Sequence, residues 1–171
     1  AEDGIRDYKV TGVQTCALPI LERAYSHWKE RRSNDGDPLG FAEAIDAEEG
    51  RLAGEEARIL MDPGAVSTAH RHWSYLDQGR YAPMLERWFA AFGRDRVLVE
   101  VSEEMYADPQ ATFDRVTAHL GLAGYRLLDP VAHNAEPSPD LDPGLRAELA
   151  ARLAPSVRAT EALLGRSLPW G

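Results

Sequence analysis

The chain has 171 residues, a formal net charge of −9, 44% hydrophobic residues and a single cysteine. A field that acidic excludes non-specific nucleic-acid binding, which needs a basic surface, while leaving room for a local anion pocket. No apolar run approaches the length that spans a bilayer, and the lone Cys16 excludes an internal disulfide and a cysteine-ligated zinc site.

The first twenty residues stand apart. Ala1–Asp7 and Val10–Ile20 resemble the in-frame translation of a short-read sequencing-library adapter, with Tyr8 and Lys9 at the place of its index. We therefore expect residues 1–20 to be a non-native, adapter-derived segment to be left out of fold reasoning, the other reading being a short N-terminal strand with a loop, and the natural sequence to resume at Leu21 as part of something longer. Without them the net charge is about −8 and no cysteine remains. No signal peptide can be read from such a start, so the cytoplasm is the default location.

Leu21, Ala24, Tyr25 and Trp28 recur at spacings of three and four and predict a helix to Arg32. The cluster Ser33-Asn34-Asp35-Gly36-Asp37-Pro38 is a turn. A second helix is predicted over Phe41–Met61, apolar at Phe41, Ile45 and Leu52, and broken by Asp62-Pro63-Gly64. Ala65–Arg80 is poorly periodic. Pro83 fits the first turn of the next helix, whose face Tyr81, Leu85, Trp88, Phe89 and Phe92 reads as core, with Gly93 as its stop. Val97–Val101 is the one clear strand, and its near-continuous apolar run suits a parallel sheet. Asp108-Pro109 caps a helix ending at Gly121. Asp142-Pro143 caps Gly144–Leu153, and a further helix is predicted over Pro155–Leu164, ending at Gly165. Many helices with one strand suit the helical covering of an α/β domain whose other strands lie elsewhere.

Four stretches in order carry a family resemblance. They are Leu21-Glu22-Arg23-Ala24-Tyr25-Ser26-His27-Trp28; Gly79-Arg80-Tyr81 with Leu85 and Trp88; Val97-Leu98-Val99 through Glu103, Glu104, Asp108 and Pro109 to Leu120-Gly121-Leu122; and Leu163-Leu164-Gly165-Arg166 with Trp170. Together they resemble the C-terminal part of the domain shared by bacterial and heparan-type sulfotransferases. The Ala, Arg, Gly and Leu bias fits a high-GC bacterial source. The resemblance implies an α/β, P-loop-like (nucleoside triphosphate hydrolase-like) parallel-sheet fold over residues 21–171, here mostly helical and without its N-terminal phosphate loop. It also implies transfer of a sulfuryl group from 3′-phosphoadenosine 5′-phosphosulfate (PAPS) to a hydroxyl or amine on a glycan or small molecule. The resemblance implies no metal.

In that family a serine and an arginine eight positions earlier bind the 3′-phosphate of PAPS. Ser26 carries over as the serine, whereas the arginine position is Leu18, inside the adapter-like segment. A serine hydroxyl near the start of a helix suits a phosphate. The other reading of Ser26 is an ordinary helical serine bonded back to a carbonyl. Arg23 reads either as support for the phosphate pocket or as a surface residue, and His27 as a lining of the acceptor cleft or an exposed helix residue. No Gly-x-x-x-x-Gly-Lys-Ser/Thr loop exists, so the catalytic cation and base are not assigned, and the chain as written is expected to be inactive. Ser102 stands where many cytosolic relatives carry an aromatic residue for adenine. His70, Arg71, His72 and Trp73 read as an acceptor-side loop or plain surface before a metal site, and His133-Asn134 as a solvated linker before a segment that approaches the cofactor in the intact enzyme. Two rival functions remain: a helical interaction domain without cofactor, and a fragment of a P-loop kinase.

Overall fold

The computed structural model describes residues 13–17, 19–34, 36–62, 64–128 and 140–170, the first group by its backbone. The chain divides into two compact units, Leu18–Met84 with Glu136–Gly171, and Ala1–Ala17 with Leu85–Ala135. His133 and Asn134 lie outside the described residues.

The first unit is helical. Helix α1 (Ile20–Ser33) opens directly after Pro19, with Glu22 in its first turn and Arg31 and Arg32 in its last, charges that complement the helix dipole. Its buried residues, Ile20, Leu21 and Ala24, pack towards the turn Asp77–Gly79 and helix α8 (Pro143–Leu164). The predicted helix Phe41–Met61 is two helices, α2 (Phe41–Leu52) and α3 (Glu55–Met61), because Gly54 adopts φ 79°, a left-handed conformation that glycine takes without steric cost. The weakly periodic stretch that follows contains α4 (Thr68–Trp73), capped by the Ser67 hydroxyl accepting from the His70 N–H at 3.0 Å. Tyr25, Trp28 and Phe41 form an aromatic cluster with ring centroids 5.0–5.6 Å apart.

Helix α8 corrects another expectation, since the two helices predicted on either side of Pro155 are one. Proline removes one backbone bond, and because Pro155 and Ala151 are exposed the freed carbonyl is open to water. Buried Leu149, Leu153 and Thr160 hold the helix in place on both sides of the interruption. Asp142 caps its start and Gly165, at φ 69°, its end.

The second unit carries the sheet. Strand β1 (Val13–Ala17) pairs in parallel with β2 (Val97–Val101), Val13 opposite Val97 and Ala17 opposite Val101. The adapter-like segment thus supplies a short N-terminal strand, the lesser of the two readings of residues 1–20, and Ile20 from the same segment is a core residue of the first unit. Parallel pairing is made by backbone groups and accepts any β-compatible run, which Val13-Gln14-Thr15-Cys16-Ala17 is. Helix α5 (Tyr81–Phe92) runs across the division between the units. Tyr81 and Leu85 are buried as expected, but Trp88 and Phe92 are 36% and 40% exposed, their rings tilted against each other with centroids 5.9 Å apart. Helices α6 (Ser102–Ala107) and α7 (Pro109–His119) follow β2, α7 capped by Asp108 accepting from the Ala111 N–H at 2.9 Å. Inside this layer Glu100 is 2% exposed and receives both arms of Arg115, at 2.6 and 3.0 Å.

Gly79 marks the tightest approach in the helical unit. A Cβ there would stand 2.1 Å from Ile20 Cγ2, so the turn tolerates only glycine against α1. Gly79→Ala is expected to lower unfolding stability by about 1–3 kcal/mol, and by clearly less in an Ile20→Ala background. Urea denaturation of the four combinations checks this. Equal costs in both backgrounds would mean that Ile20 is not seated on the turn.

Candidate functional site

The segment that supports α1 is organised around one buried carboxylate. Asp37 is 1% exposed and accepts from Arg51 through both oxygens, at 2.6 and 3.1 Å, from the Tyr75 hydroxyl at 2.7 Å and from the Leu39 N–H at 3.1 Å. Burial alone would raise its pKa. The hydrogen bonds from Arg51, Tyr75 and Leu39 outweigh burial and hold the carboxyl at about 2. Burial and the Asp37 carboxylate push the Tyr75 hydroxyl well above its ordinary value, so Tyr75 stays a donor. The Trp73 ring stacks over Arg51, 5.2 Å away, and its Nε1–H donates to the Gly36 carbonyl at 3.3 Å.

Tyr75 transmits this anchoring to α1. Its carbonyl accepts from Arg23 Nη2, and its ring packs edge-on against His27, centroids 5.0 Å apart. Arg23 also donates to Gln78 Oε1 at 3.3 Å. The backbone of the same segment is clamped by Glu48, 5% exposed, which accepts from the N–H groups of Leu76 at 2.9 Å and Asp77 at 2.7 Å. Burial raises the pKa of Glu48 against the pull of those two donors. Burial lowers that of Arg23, opposed by Tyr81, Glu48 and Asp77.

The two sequence-predicted cofactor residues therefore do different things. Ser26 is exposed, on the seventh residue of α1, beyond the unpaired N–H groups of the first turn. Arg23 is half-buried and directed at Tyr75 and Gln78, so it fits a positioning role and not direct contact with a phosphate. His27 is half-buried, and its pKa is lowered by burial and by Arg23.

His70 and His72 are half-buried on α4. His70 lines an open cleft of about 680 Å³ together with Glu48, Asp77, Arg80 and Arg152. Its ring Nδ1 lies 3.2 Å from the Ser67 hydroxyl, and its carbonyl accepts from Gln78 Nε2 at 2.8 Å. Among the described residues, no group of three His, Cys, Asp or Glu side chains is placed to hold a metal ion. No described helix is long and apolar enough to cross a membrane. In the sheet unit Ser102 is buried and donates to Glu103 Oε2 at 2.9 Å.

Sequence reasoning missed Asp37, Glu48, Arg51 and Tyr75. Asp37 lay in a turn cluster, and the four are joined only by tertiary contacts. Glu48 alone left a signal, since it continues the Phe41, Ala44, Ile45 apolar stripe at helical spacing.

The pH dependence of Asp37 follows from its sign. A carboxyl held below its ordinary value stabilises fully above about pH 4 and loses that contribution as pH falls towards 2. Asp37→Asn is expected to cost about 2–4 kcal/mol at neutral pH. The wild type should then lose about 2 kcal/mol more than the variant between pH 5 and pH 2. Denaturant unfolding across that range measures it, and parallel pH curves for the two proteins would refute the assignment.

Comparison with known proteins adds a relationship to this geometry. No protein-family model matches the chain, and neither does any curated protein. Among solved structures, a sulfotransferase from Alicyclobacillus acidocaldarius is similar, with a TM-score of 0.65 and 29% sequence identity over 92% of this chain. The chain spans 56% of that protein's length. The fold of the chain is sulfotransferase-like.

Proposed function

We propose that the chain is the C-terminal part of a PAPS-dependent sulfotransferase domain. The observation that carries this reading is the match to a sulfotransferase along nearly the whole chain. It agrees with the four ordered stretches from Leu21 to Trp170. The domain would be P-loop-like, with residues 1–20 an extraneous start. In this reading Ser26 donates its hydroxyl to the 3′-phosphate of PAPS. Arg23 fixes α1 against Tyr75 and Gln78 so that Ser26 is presented outward. PAPS is a substrate that supplies the sulfuryl group, which passes in line to an acceptor hydroxyl or amine without a covalent enzyme intermediate and without a metal. The 5′-phosphosulfate loop and its cation are not provided by these residues. Sulfuryl transfer by this chain alone is therefore not expected, and its nucleotide binding is weak.

The expected result in isothermal calorimetry is weak binding of adenosine 3′,5′-bisphosphate and weaker binding of adenosine 5′-monophosphate, which lacks the 3′-phosphate. Ser26→Ala should reduce affinity for the bisphosphate about fivefold and leave that for the monophosphate unchanged, the loss of about one hydrogen bond. If both nucleotides bind alike, or the variant binds as the wild type does, Ser26 has no such role. Sulfation of any acceptor by the purified chain would overturn the inactive reading.

A further inference from the structure

The hydrogen bonds around Ser67 fix where the proton of His70 sits. A hydroxyl has one proton to give and two lone pairs to share. The Ser67 hydroxyl donates to Glu55 Oε2, whose carboxyl has its pKa held at about 2 by hydrogen bonds from Arg58 and Ser67. Glu55 is therefore ionised and can only accept, and Arg58 grips both its oxygens, at 2.8 and 3.1 Å. The Ser67 oxygen accepts from the His70 N–H at 3.0 Å, and its remaining lone pair faces His70 Nδ1 at 3.2 Å. With the serine proton given to Glu55, Nδ1 must be the donor. Neutral His70 is thereby held in the tautomer that carries its proton on Nδ1 and a free lone pair on Nε2.

Among the described residues none pairs with Nε2. The rest of His70 is engaged, its carbonyl accepting from the Ser74 hydroxyl and from Gln78 Nε2. His70 lines the open cleft of about 680 Å³ between α2 and α8, inside the helical unit, a volume suited to a small molecule. Ser67, on the Nδ1 side of the ring, does not line it, so the edge bearing Nε2 is the one turned to the cleft.

The remaining wall asks for a donor as well. It presents four carboxylates, Glu48, Glu49, Glu56 and Asp77, against two guanidinium groups. Of these two, Arg80 is paired with Asp77 at 3.4 Å, and Arg152 reaches Asp46, outside the cleft, at 4.0 Å. Burial raises the pKa of Glu48 and the like charge of Asp77 adds to it, a penalty that a cation in the cleft relieves. Buried Leu76 and Leu153 add apolar surface, which a carbon skeleton uses and a bare metal ion does not.

We propose that this cleft binds a small organic ammonium ion, the protonated form of an amino alcohol or amino sugar, whose N–H groups donate to His70 Nε2 and to the carboxylates of the wall. The Glu55–Ser67–His70 chain presents the lone pair, and the excess of carboxylates selects the charge. The site does not rest on the nucleotide reading, since neither Ser26 nor Arg23 lines it.

The test is a titration of the full chain with glucamine, sorbitol and gluconate, which share one carbon skeleton and differ in charge, at constant ionic strength. It is followed by NMR at the His70 ring nitrogens under conditions where His70 is neutral. Nε2 should be the unprotonated nitrogen before any ligand is added. Glucamine should shift it saturably and bind about tenfold more tightly than sorbitol or gluconate. His70→Phe should weaken glucamine binding about tenfold, the loss of one charge-assisted hydrogen bond. Glu49 is exposed, so Glu49→Gln should leave the melting temperature unchanged and weaken binding about threefold, a loss that misfolding does not explain. The proposal fails if neutral His70 carries its proton on Nε2, or if glucamine gives no saturable shift. It fails equally if sorbitol or gluconate binds as tightly as glucamine, or if either variant binds glucamine as the wild type does.

Discussion

The placement of α1 against its support depends on the carboxylate of Asp37. Removing a charge from water costs several kcal/mol, and an isolated buried carboxylate would protonate instead. Here four hydrogen bonds from Arg51, Tyr75 and Leu39 compensate it. The consequence reaches beyond the ion pair. Tyr75 is fixed at its hydroxyl, so its ring and carbonyl are fixed as well, and these two groups meet His27 and Arg23 on α1. Glu48 performs the matching task for the next two residues by accepting their N–H groups. A segment with little regular structure thereby becomes a rigid support.

The sheet unit uses the same device once. Glu100 is buried on β2 and held by both arms of Arg115, which also donates to Thr112 at 3.0 Å. In each unit a buried acid joins segments that the backbone alone would leave independent. The pairs fix geometry more than they add stability, because desolvation cancels much of their attraction. Geometry is what the Asp37 pair supplies to α1, through the carbonyl and ring of Tyr75 that meet Arg23 and His27.

Much of the fold was legible because local physics decided it. Val97–Val101 is a strand with the bounds its apolar run suggests, and the Asp-Pro pairs at Asp108 and Asp142 open helices as capping chemistry requires. Elsewhere the local signal was ambiguous. Gly54 could sit within a helix or end one, and Pro155 breaks helices in general but is tolerated where water can reach the freed carbonyl. Strand β1 was only the lesser reading of its segment, because its pairing partner lies far along the chain. The Asp37 network was invisible for the same reason: Arg51 and Tyr75 are 14 and 38 positions away. At the candidate site the sequence pointed to α1 through Ser26 and Arg23, but the inward turn of Arg23 depends on Tyr75, which no motif named.

We propose that residues from Leu21 onward belong to a sulfotransferase domain whose earlier part carries the phosphate loop. An uninterrupted long read of the source DNA across the codons for Ala17 to Leu21 tests it most directly. The account predicts Arg-Asn-Pro or Arg-Asp-Pro immediately before Leu21, with a strand, a lysine- and glycine-containing phosphate loop and a helix farther upstream. An unbroken reading frame that retains residues 1–20, or an unrelated upstream domain, would contradict it.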